Sequence, residues 1–311
     1  VSGPLLRVEA VTKRFGPKVA VDQVDFEVER GRTLGLVGES GSGKSTVARL
    51  VVGLERADSG TISFDGRALP TGYAELRPVR QRMGMVFQSP VEALDPHLPL
   101  LDLVVEPLRA AGRRADATAG TARHLLDQVG LGGADLGHRA AAFSGGEQQR
   151  IAFARALALG PELIICDEPT SSLDVSVQAQ ILNLMLELQA RSGVSFLLIS
   201  HDLDVIRRMS DQVVVLLDGQ VMERGDAEAV ATDPAHPYTR ALLAAVPRPR
   251  WAAGQGDEPP HIARVPAGGG CPFASRCPLV HDRCAERPAL RDRGGRAVAC
   301  HLVDDPKGGP S

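Results

Sequence analysis

A chain of 311 residues that is 43% hydrophobic has room for one large folded domain and a smaller one. Only 4% of it is aromatic, so Leu, Val, Ile and Ala must build the core, and the net charge of −3 argues against a general nucleic-acid binder. No apolar run approaches the roughly 20 residues of a membrane-spanning helix, and Val1 to Arg14 lacks the apolar centre of a secretion leader, so a cytoplasmic protein is expected. Just four of the 35 basic residues are lysine, a bias that a GC-rich genome explains without a functional role.

Taken in chain order, Leu6-Arg7-Val8-Glu9 and Val24-Asp25-Phe26-Glu27-Val28-Glu29 alternate apolar and polar. That period predicts half-buried, antiparallel β-structure over residues 5–30. Thr33 to Val37 is a short apolar run and reads as a buried strand. Gly38-Glu39-Ser40-Gly41-Ser42-Gly43-Lys44-Ser45-Thr46 follows, and a helical pattern opens at Lys44. Strand, glycine loop and helix together make a phosphate-binding loop. Its glycines let backbone N–H groups converge on phosphate oxygens, Lys44 adds a point charge for the β- and γ-phosphates, and Ser45 offers a hydroxyl to Mg²⁺. The helix directs its positive end at the same anion. A glycine-rich turn with an incidental lysine is the rival, and the full match in context leaves it little room.

Thr61 to Phe64 and Met83 to Phe87 predict further strands. Residues 89–150 change to a helical pattern, with apolar stripes at Leu101, Val104, Val105 and Leu108 and at Ala122, Leu125, Leu126 and Val129. At the far end stand Phe143-Ser144-Gly145-Gly146-Glu147-Gln148, before a helix expected over Gln148 to Leu159, with Ile151, Ala154, Ala156 and Leu159 as its apolar positions. Helix N-termini bind anions. Residues 161–225 return to strand–helix–strand. Leu163 to Cys166 runs into Asp167 and Glu168, then Ser171-Ser172-Leu173-Asp174; a second apolar run, Leu197 to Ser200, ends in His201. Phosphoryl transfer asks for positioning and charge neutralisation. Asp167 at a strand end suits outer-sphere contact with Mg²⁺. Glu168, one residue on, is expected to leave the strand on the opposite face and address the attacking water. His201 at another strand end can hydrogen-bond a γ-phosphate. In parallel α/β sheets ligands gather at these carboxyl ends.

These motifs, in this order, closely resemble the ATPase subunits of ABC transporters over residues 5 to about 250. The resemblance implies a P-loop NTPase fold of the ABC cassette: a RecA-like α/β core, an antiparallel β subdomain and a helical subdomain at about 89–150, with a small Cys-rich C-terminal lobe. The cassette is expected over 1–246 and the C-terminal extension over 247–311. Gly38 to Thr46 would be the Walker A loop and Ile164 to Glu168 Walker B. Ser144, Gly145, Gly146 and Glu147 would belong to the signature motif, Asp174 to the D-loop, and His201 would be the switch histidine. Gln88 lies where the family carries its Q-loop and a Mg²⁺ contact, and Phe15 where an aromatic stacks on adenine. Glu147 stands where the family usually has glutamine; the serine and glycines make most of the phosphate contact, so the motif is read as competent. In this family the signature meets the ATP of the opposite subunit, which implies a head-to-tail dimer, homomeric or heteromeric.

The C-terminal sequence narrows the branch. His236-Pro237-Tyr238-Thr239-Arg240-Ala241-Leu242-Leu243 resembles the extension of oligopeptide/dipeptide importer ATPases, a branch that includes nickel and glutathione importers. Gln88-Ser89-Pro90 and Ala93-Leu94-Asp95-Pro96 resemble the same branch. Residues Pro247 to Gly256 read as a linker. Cys271, Cys277, Cys284 and Cys300 follow with C-x5-C-x6-C-x15-C spacing, whereas Cys166, inside the Walker B strand, reads as a small buried hydrophobe. A cytoplasmic setting disfavours disulfides, and a metal would supply folding energy to a lobe too small for its own core. Spacing alone leaves zinc and iron–sulfur near balance. The resemblance favours a 4Fe–4S cluster, with Zn²⁺ as the alternative and free thiols as the bland outcome.

The expected function is ATP hydrolysis, with ATP and Mg²⁺, driving import of peptides or a related solute. The protein would sit peripherally on the cytoplasmic face of the cell membrane. Expected partners are a second ATPase subunit, two permease subunits and, indirectly, an extracytoplasmic solute-binding protein, with no nucleic acid. ABC ATPases of DNA repair or translation are the rival class; they carry long coiled-coil or zinc insertions or two cassettes. A regulatory subunit without turnover is a second rival, and Glu168 and His201 argue against it.

Overall fold

The computed structural model describes residues 3–89, 93–245 and 270–304. The expected linker at Pro247 to Gly256 and the boundary at 246/247 lie outside them, as does Pro90. Two sheets organise the described residues. Strands β1 (Leu6–Phe15), β2 (Lys18–Val28), β4 (Ser59–Phe64) and β5 (Arg67–Ala68) form an antiparallel sheet in the order β2-β1-β4-β5. The alternation seen in the sequence is the cause: Leu6, Val8, Phe26 and Val28 are buried while Glu9 and Glu27 face water.

The second sheet has eight strands in the order β11-β12-β10-β9-β3-β8-β7-β6. They are β3 (Thr33–Val37), β6 (Met83–Val86), β7 (Leu163–Asp167), β8 (Ser195–Ser200), β9 (Gln212–Leu217), β10 (Gln220–Asp226), β11 (Arg291–Asp292) and β12 (Ala297–Val298). The run β9-β3-β8-β7-β6 is parallel, and β10, β12 and β11 extend it antiparallel. Buried parallel strands must be apolar on both faces. In β7, Leu163 and Ile165 enter one apolar cluster, shared with the antiparallel sheet, while Ile164 and Cys166 enter the other. Cys166 is fully buried, as expected, and burial holds its thiol protonated.

The second cluster also buries the helical subdomain: α3 (Leu100–Ala110) and α4 (Ala119–Gln128), packed on α5 (Gly145–Leu157). Thr118 caps α4 through its hydroxyl, which accepts from Thr121 N–H, and Ala122, Leu125, Leu126 and Val129 are buried as expected. The stripe on α3 is wider than its spacing suggested. Leu100 and Leu103 are buried beside Val104, Val105 and Leu108, whereas Leu101 is half-buried. Leu100 and Leu101 N–H donate to the His138 and Leu136 carbonyls, fixing the start of α3 against the approach to the signature.

Of the remaining helices, α1 (Lys44–Val51) follows β3, α2 (Tyr73–Arg80) precedes β6, α6 (Val175–Ser192) joins β7 to β8, and α7 (Leu203–Met209) joins β8 to β9. After β10 come α8 (Ala227–Thr232) and α9 (Pro237–Ala245). The Cys-rich segment joins the main sheet itself: Glu223 pairs with Val298 and Arg224 with Ala297. Among the described residues no helix is long and apolar enough to cross a membrane.

Candidate functional site

Three adjacent parallel strands, β3, β8 and β7, bring their carboxyl ends together, and the phosphate loop leaves the first of them. The loop is built from its own backbone. Ser42 N–H donates to Glu39 O (3.1 Å), and Gly219 N–H, in the turn between β9 and β10, donates to Ser42 O (2.9 Å). Gly43 has φ +105°, and a Cβ there would stand 2.3 Å from the Ala20 carbonyl oxygen, so only glycine fits. Lys44 is 4% exposed; its ammonium donates to the Gly38 (2.7 Å) and Glu39 (2.8 Å) carbonyls. Burial lowers its pKa, opposed by Glu168, Asp167 and Glu39. A phosphate group placed there would oppose the desolvation further.

Ser45 Oγ donates to Asp167 Oδ1 (3.2 Å). Burial pushes the Asp167 carboxyl up, and the Ser45 hydrogen bond pulls it back. A hydroxyl and a half-buried carboxylate form the hard oxygen set that suits Mg²⁺. Glu168 departs from the expected geometry: β7 ends at Asp167, so strand alternation does not aim this side chain. Glu168 has φ +49°, rare for a non-glycine residue, and its N–H donates to Ile199 O (3.0 Å). That left-handed turn sends the carboxylate toward β8, where Glu168 Oε2 lies 3.1 Å from His201 Nδ1.

A cavity of about 590 Å³ gathers the sequence-predicted residues Phe15, Ser40, Gly41, Gly43, Lys44, Ser45, Thr46, Gln88, Glu168 and His201. Phe15 stands at the β1–β2 turn, 46% exposed, with the Lys13 ammonium 5.1 Å from its ring centroid. It offers an open aromatic face at the edge of the phosphate loop.

The signature residues are elsewhere. None of Ser144, Gly145, Gly146 and Glu147 lines this cavity, and neither does Asp174. The signature helix begins at Gly145, not at Gln148, and the motif itself makes its first turn. Ser144 is the N-cap, with its N–H and hydroxyl both 2.8 Å from Glu147 Oε2, a closed capping box. These hydrogen bonds, the backbone one first, lower the Glu147 pKa, so the carboxylate is charged at neutral pH. Gly146 permits a close approach: a Cβ there would meet Val177 at 2.5 Å. Asp174 caps α6 through Val177 N–H (2.9 Å) and accepts from Ser176 Oγ (2.6 Å). Phe153 and Leu157 join Ile151 and Ala154 as buried residues of α5, while Ala156 and Leu159 are only half-buried.

In the C-terminal lobe, Cys284 is buried, and Cys271, Cys277 and Cys300 are half-buried; all are free of disulfides. Cys271 N–H donates to Cys284 O (3.0 Å). Burial, and after it the neighbouring cysteines, raises the Cys271 thiol to about 11, and Cys277 shifts the same way. The four thiols therefore share one neighbourhood, yet among the described residues no group of three or more His, Cys, Asp or Glu is drawn to metal-binding distance.

Three residues on or beside the phosphate loop's supports escaped the sequence reading. Tyr238, used there only as a branch marker, is fully buried, and its hydroxyl accepts from Glu39 N–H (3.0 Å). Arg276 makes a two-pronged pair with Glu39 (2.7 and 3.0 Å), and Arg287 pairs with Asp22 (2.7 Å). Their long sequence separation left no local pattern to detect.

A parallel core presents this loop, flanked by an antiparallel sheet and by a helical subdomain with its own glycine-rich cap. Residues 21–171 match the family described as ABC transporter, and 222–284 match the oligopeptide/dipeptide transporter C-terminal region. A protein of Brucella abortus (strain 2308) named for peptide import ATP binding is 46% identical over 291 residues, 91% of this chain and 86% of its own. An oligopeptide transport ATP-binding protein of Mycobacterium tuberculosis is 49% identical over 238 residues, 76% of this chain but 39% of its own. Among solved structures, a component of a Clostridium perfringens ABC transporter complex superposes with TM-score 0.65 and 25% identity, covering 74% of this chain and 91% of its own. A cassette solved as a dimer with ADP and Pi gives 0.63 and 29%, covering 71% and 98%. The chain belongs to the ATP-binding proteins of ABC transporters, in the branch named for peptide import, and is an ATPase.

Proposed function

We propose that this ATPase drives uptake of di- or oligopeptides from the cytoplasmic face of the cell membrane, through two permease subunits fed by an extracytoplasmic binding protein. The cavity in which Phe15, the phosphate loop, Gln88, Glu168 and His201 meet carries the ATPase part of the reading, and the C-terminal match to oligopeptide/dipeptide transporters supports the cargo. Phe15 stacks on adenine, the loop N–H groups and Lys44 hold the β- and γ-phosphates, and Ser45, Gln88 and Asp167 are the residues that would hold Mg²⁺. Bound there, Mg²⁺ would supply neutralisation of the developing phosphate charge. Glu168 orients and deprotonates the attacking water, and His201 donates to the γ-phosphate.

Two cassettes, identical or paralogous, pair head to tail, so that Ser144, Gly145, Gly146 and Glu147 of one complete the other's site. Ser144 and Gly145, exposed at the start of α5, support this, as does Val175, left 83% exposed beside Asp174. Gln88 begins the route to the permease. Arg155 on the signature helix donates to Ala93 O (2.7 Å) and pairs with Glu106 (2.5 Å) on α3, so movement after Gln88 reaches the signature helix through one side chain. Residues 1–246 are read as the cassette, with its helical subdomain at about 89–150, and 247–311 as the extension.

Cys271, Cys277, Cys284 and Cys300 are read as ligands of a 4Fe–4S cluster, which would supply structural cross-linking to the lobe. Support comes from the all-thiol donor set in one small lobe; the side chains would have to close up around the cluster, and zinc is the competing occupant. The test of the function is reconstitution with the neighbouring permease and binding-protein gene products in vesicles. ATP-dependent peptide uptake that Lys44→Ala abolishes is expected; ATP hydrolysis that no peptide stimulates, alongside uptake of a different solute, would refute the cargo.

A further inference from the structure

The phosphate loop is gripped from outside the cassette core. At one end, the Arg276 guanidinium reaches from the Cys-rich lobe to both carboxylate oxygens of Glu39, at 2.7 and 3.0 Å. Arg276 is itself held in place, lying 5.3 Å from the Phe273 ring centroid and 6.0 Å from that of Tyr238. Phe273 is buried, and its ring sits 5.4 Å from Tyr238. The Tyr238 hydroxyl accepts from Glu39 N–H (3.0 Å) and donates to Leu216 O (3.4 Å), tying the loop to the end of β9. At the other end, Arg287 donates to Asp22 Oδ2 (2.7 Å) and Asp22 O (3.2 Å). Asp22 N–H donates to Gly219 O (2.8 Å), and Gly219 N–H donates to Ser42 O (2.9 Å), inside the loop.

Glu39 is the one acidic side chain between Gly38 and Thr46. A carboxylate there opposes the phosphates that the loop must hold, and its carbonyl is also one of the two that receive the Lys44 ammonium. A two-pronged arginine pair both neutralises that charge and fixes the residue carrying the carbonyl. We propose that the C-terminal lobe positions the phosphate loop for nucleotide, with Arg276 as a positioning residue that acts through Glu39. The lobe is thus part of the nucleotide site's support, in addition to any metal it holds. The inference rests on the assignment of the loop as the nucleotide site.

The test is a double-mutant cycle on the full chain, read as the Kd for ATP by titration and as KM against kcat in the assembled transporter. Arg276→Ala weakens ATP binding and raises KM about two- to fivefold, with kcat changed less. The pair is 41% and 42% exposed, so the effect shrinks as salt rises. Arg276→Lys restores part of it, because an ammonium cannot make the fork. With Glu39→Gln already in place, Arg276→Ala changes Kd little. Two results overturn the proposal: an unchanged ATP Kd in folded Arg276→Ala, or an equal loss in both Glu39 backgrounds, which marks a general structural defect. Lys44→Ala is the control on the site itself. If that variant still binds ATP as the wild type does, the assignment of the loop fails, and not merely the brace.

Discussion

His201 Nδ1 and Glu168 Oε2 are 3.1 Å apart, although the two residues follow different strands and Glu168 holds a left-handed backbone to reach that position. Conformations of this kind cost about 1–3 kcal/mol and persist where the surroundings fix them. Here the Glu168 N–H bond to Ile199 O and the neighbouring β8 supply the constraint. The imidazole steadies the carboxylate proposed to face the attacking water, and its other nitrogen would be left to address phosphate.

Glu168→Gln keeps the side-chain length and the ability to meet His201, but removes the base. Hydrolysis should fall about 10²–10⁴-fold while ATP binding stays near wild type, leaving a persistent ATP-bound dimer. Single-turnover hydrolysis and size-exclusion chromatography with ATP check both halves. Near-normal turnover would mean that Glu168 is misassigned.

The Ser144–Glu147 capping box predicts how the unusual glutamate behaves. Glu147→Gln retains an acceptor for Ser144 N–H, so stability and ATPase activity should stay close to wild type. Glu147→Ala removes that acceptor and should cost about 1 kcal/mol, a fall of roughly 2–4 °C in Tm for a domain of this class. Thermal melts of the three proteins decide it. If Glu147→Gln is the worse variant, the carboxylate has a role that capping does not explain.

Much of this site was legible in the sequence because its chemistry is local. Strand, loop and helix from Thr33 to Val51 are contiguous, and a buried apolar run followed by Asp167 and Glu168 marks a strand end with little ambiguity. The misses have physical causes. Glu168 is aimed by one positive φ angle, which period-2 reasoning cannot see. The signature helix starts at Gly145 because Ser144 and Glu147 close a cap around the glycines, and helix propensity alone argues against that start. The Arg276–Glu39 pair joins residues 237 apart, and only the folding of the lobe onto the sheet edge through β12 brings them together.

His236 gives a pH prediction with a definite sign. The ring is 1% exposed, and Tyr238 N–H donates to its Nδ1 at 3.0 Å, so the folded protein needs it neutral. Burial pushes its pKa down to about 4 from 6.5, against a smaller upward pull from the Ala299 backbone. Between those values the unfolded chain binds the proton and the folded chain does not, so stability is full above about pH 6.5 and falls as pH drops toward 4. The loss should be on the order of 3 kcal/mol. Denaturant melts from pH 7 to 4 on wild type and His236→Gln check this; equal pH slopes would remove His236 as the cause.

The four cysteines make the last prediction. Burial keeps Cys271 and Cys277 protonated at neutral pH, so they are poor nucleophiles on their own, and a metal centre must displace those protons as it binds. Neither short spacing, C-x5-C or C-x6-C, matches the close pairs of common zinc sites. Spacing alone does not separate iron–sulfur from zinc; the cluster implied by the importer-branch resemblance predicts that protein purified without oxygen is brown, with broad visible absorption and about four irons per chain. Replacing Cys277 by Ala should lower the iron content and the Tm together, since the described residues of the lobe form short helical turns and two-residue strands. Metal analysis and melting in parallel separate the outcomes. Stoichiometric zinc without iron in the anaerobic sample would overturn the cluster, whereas iron retained in full by Cys277→Ala would remove that cysteine from the ligand set.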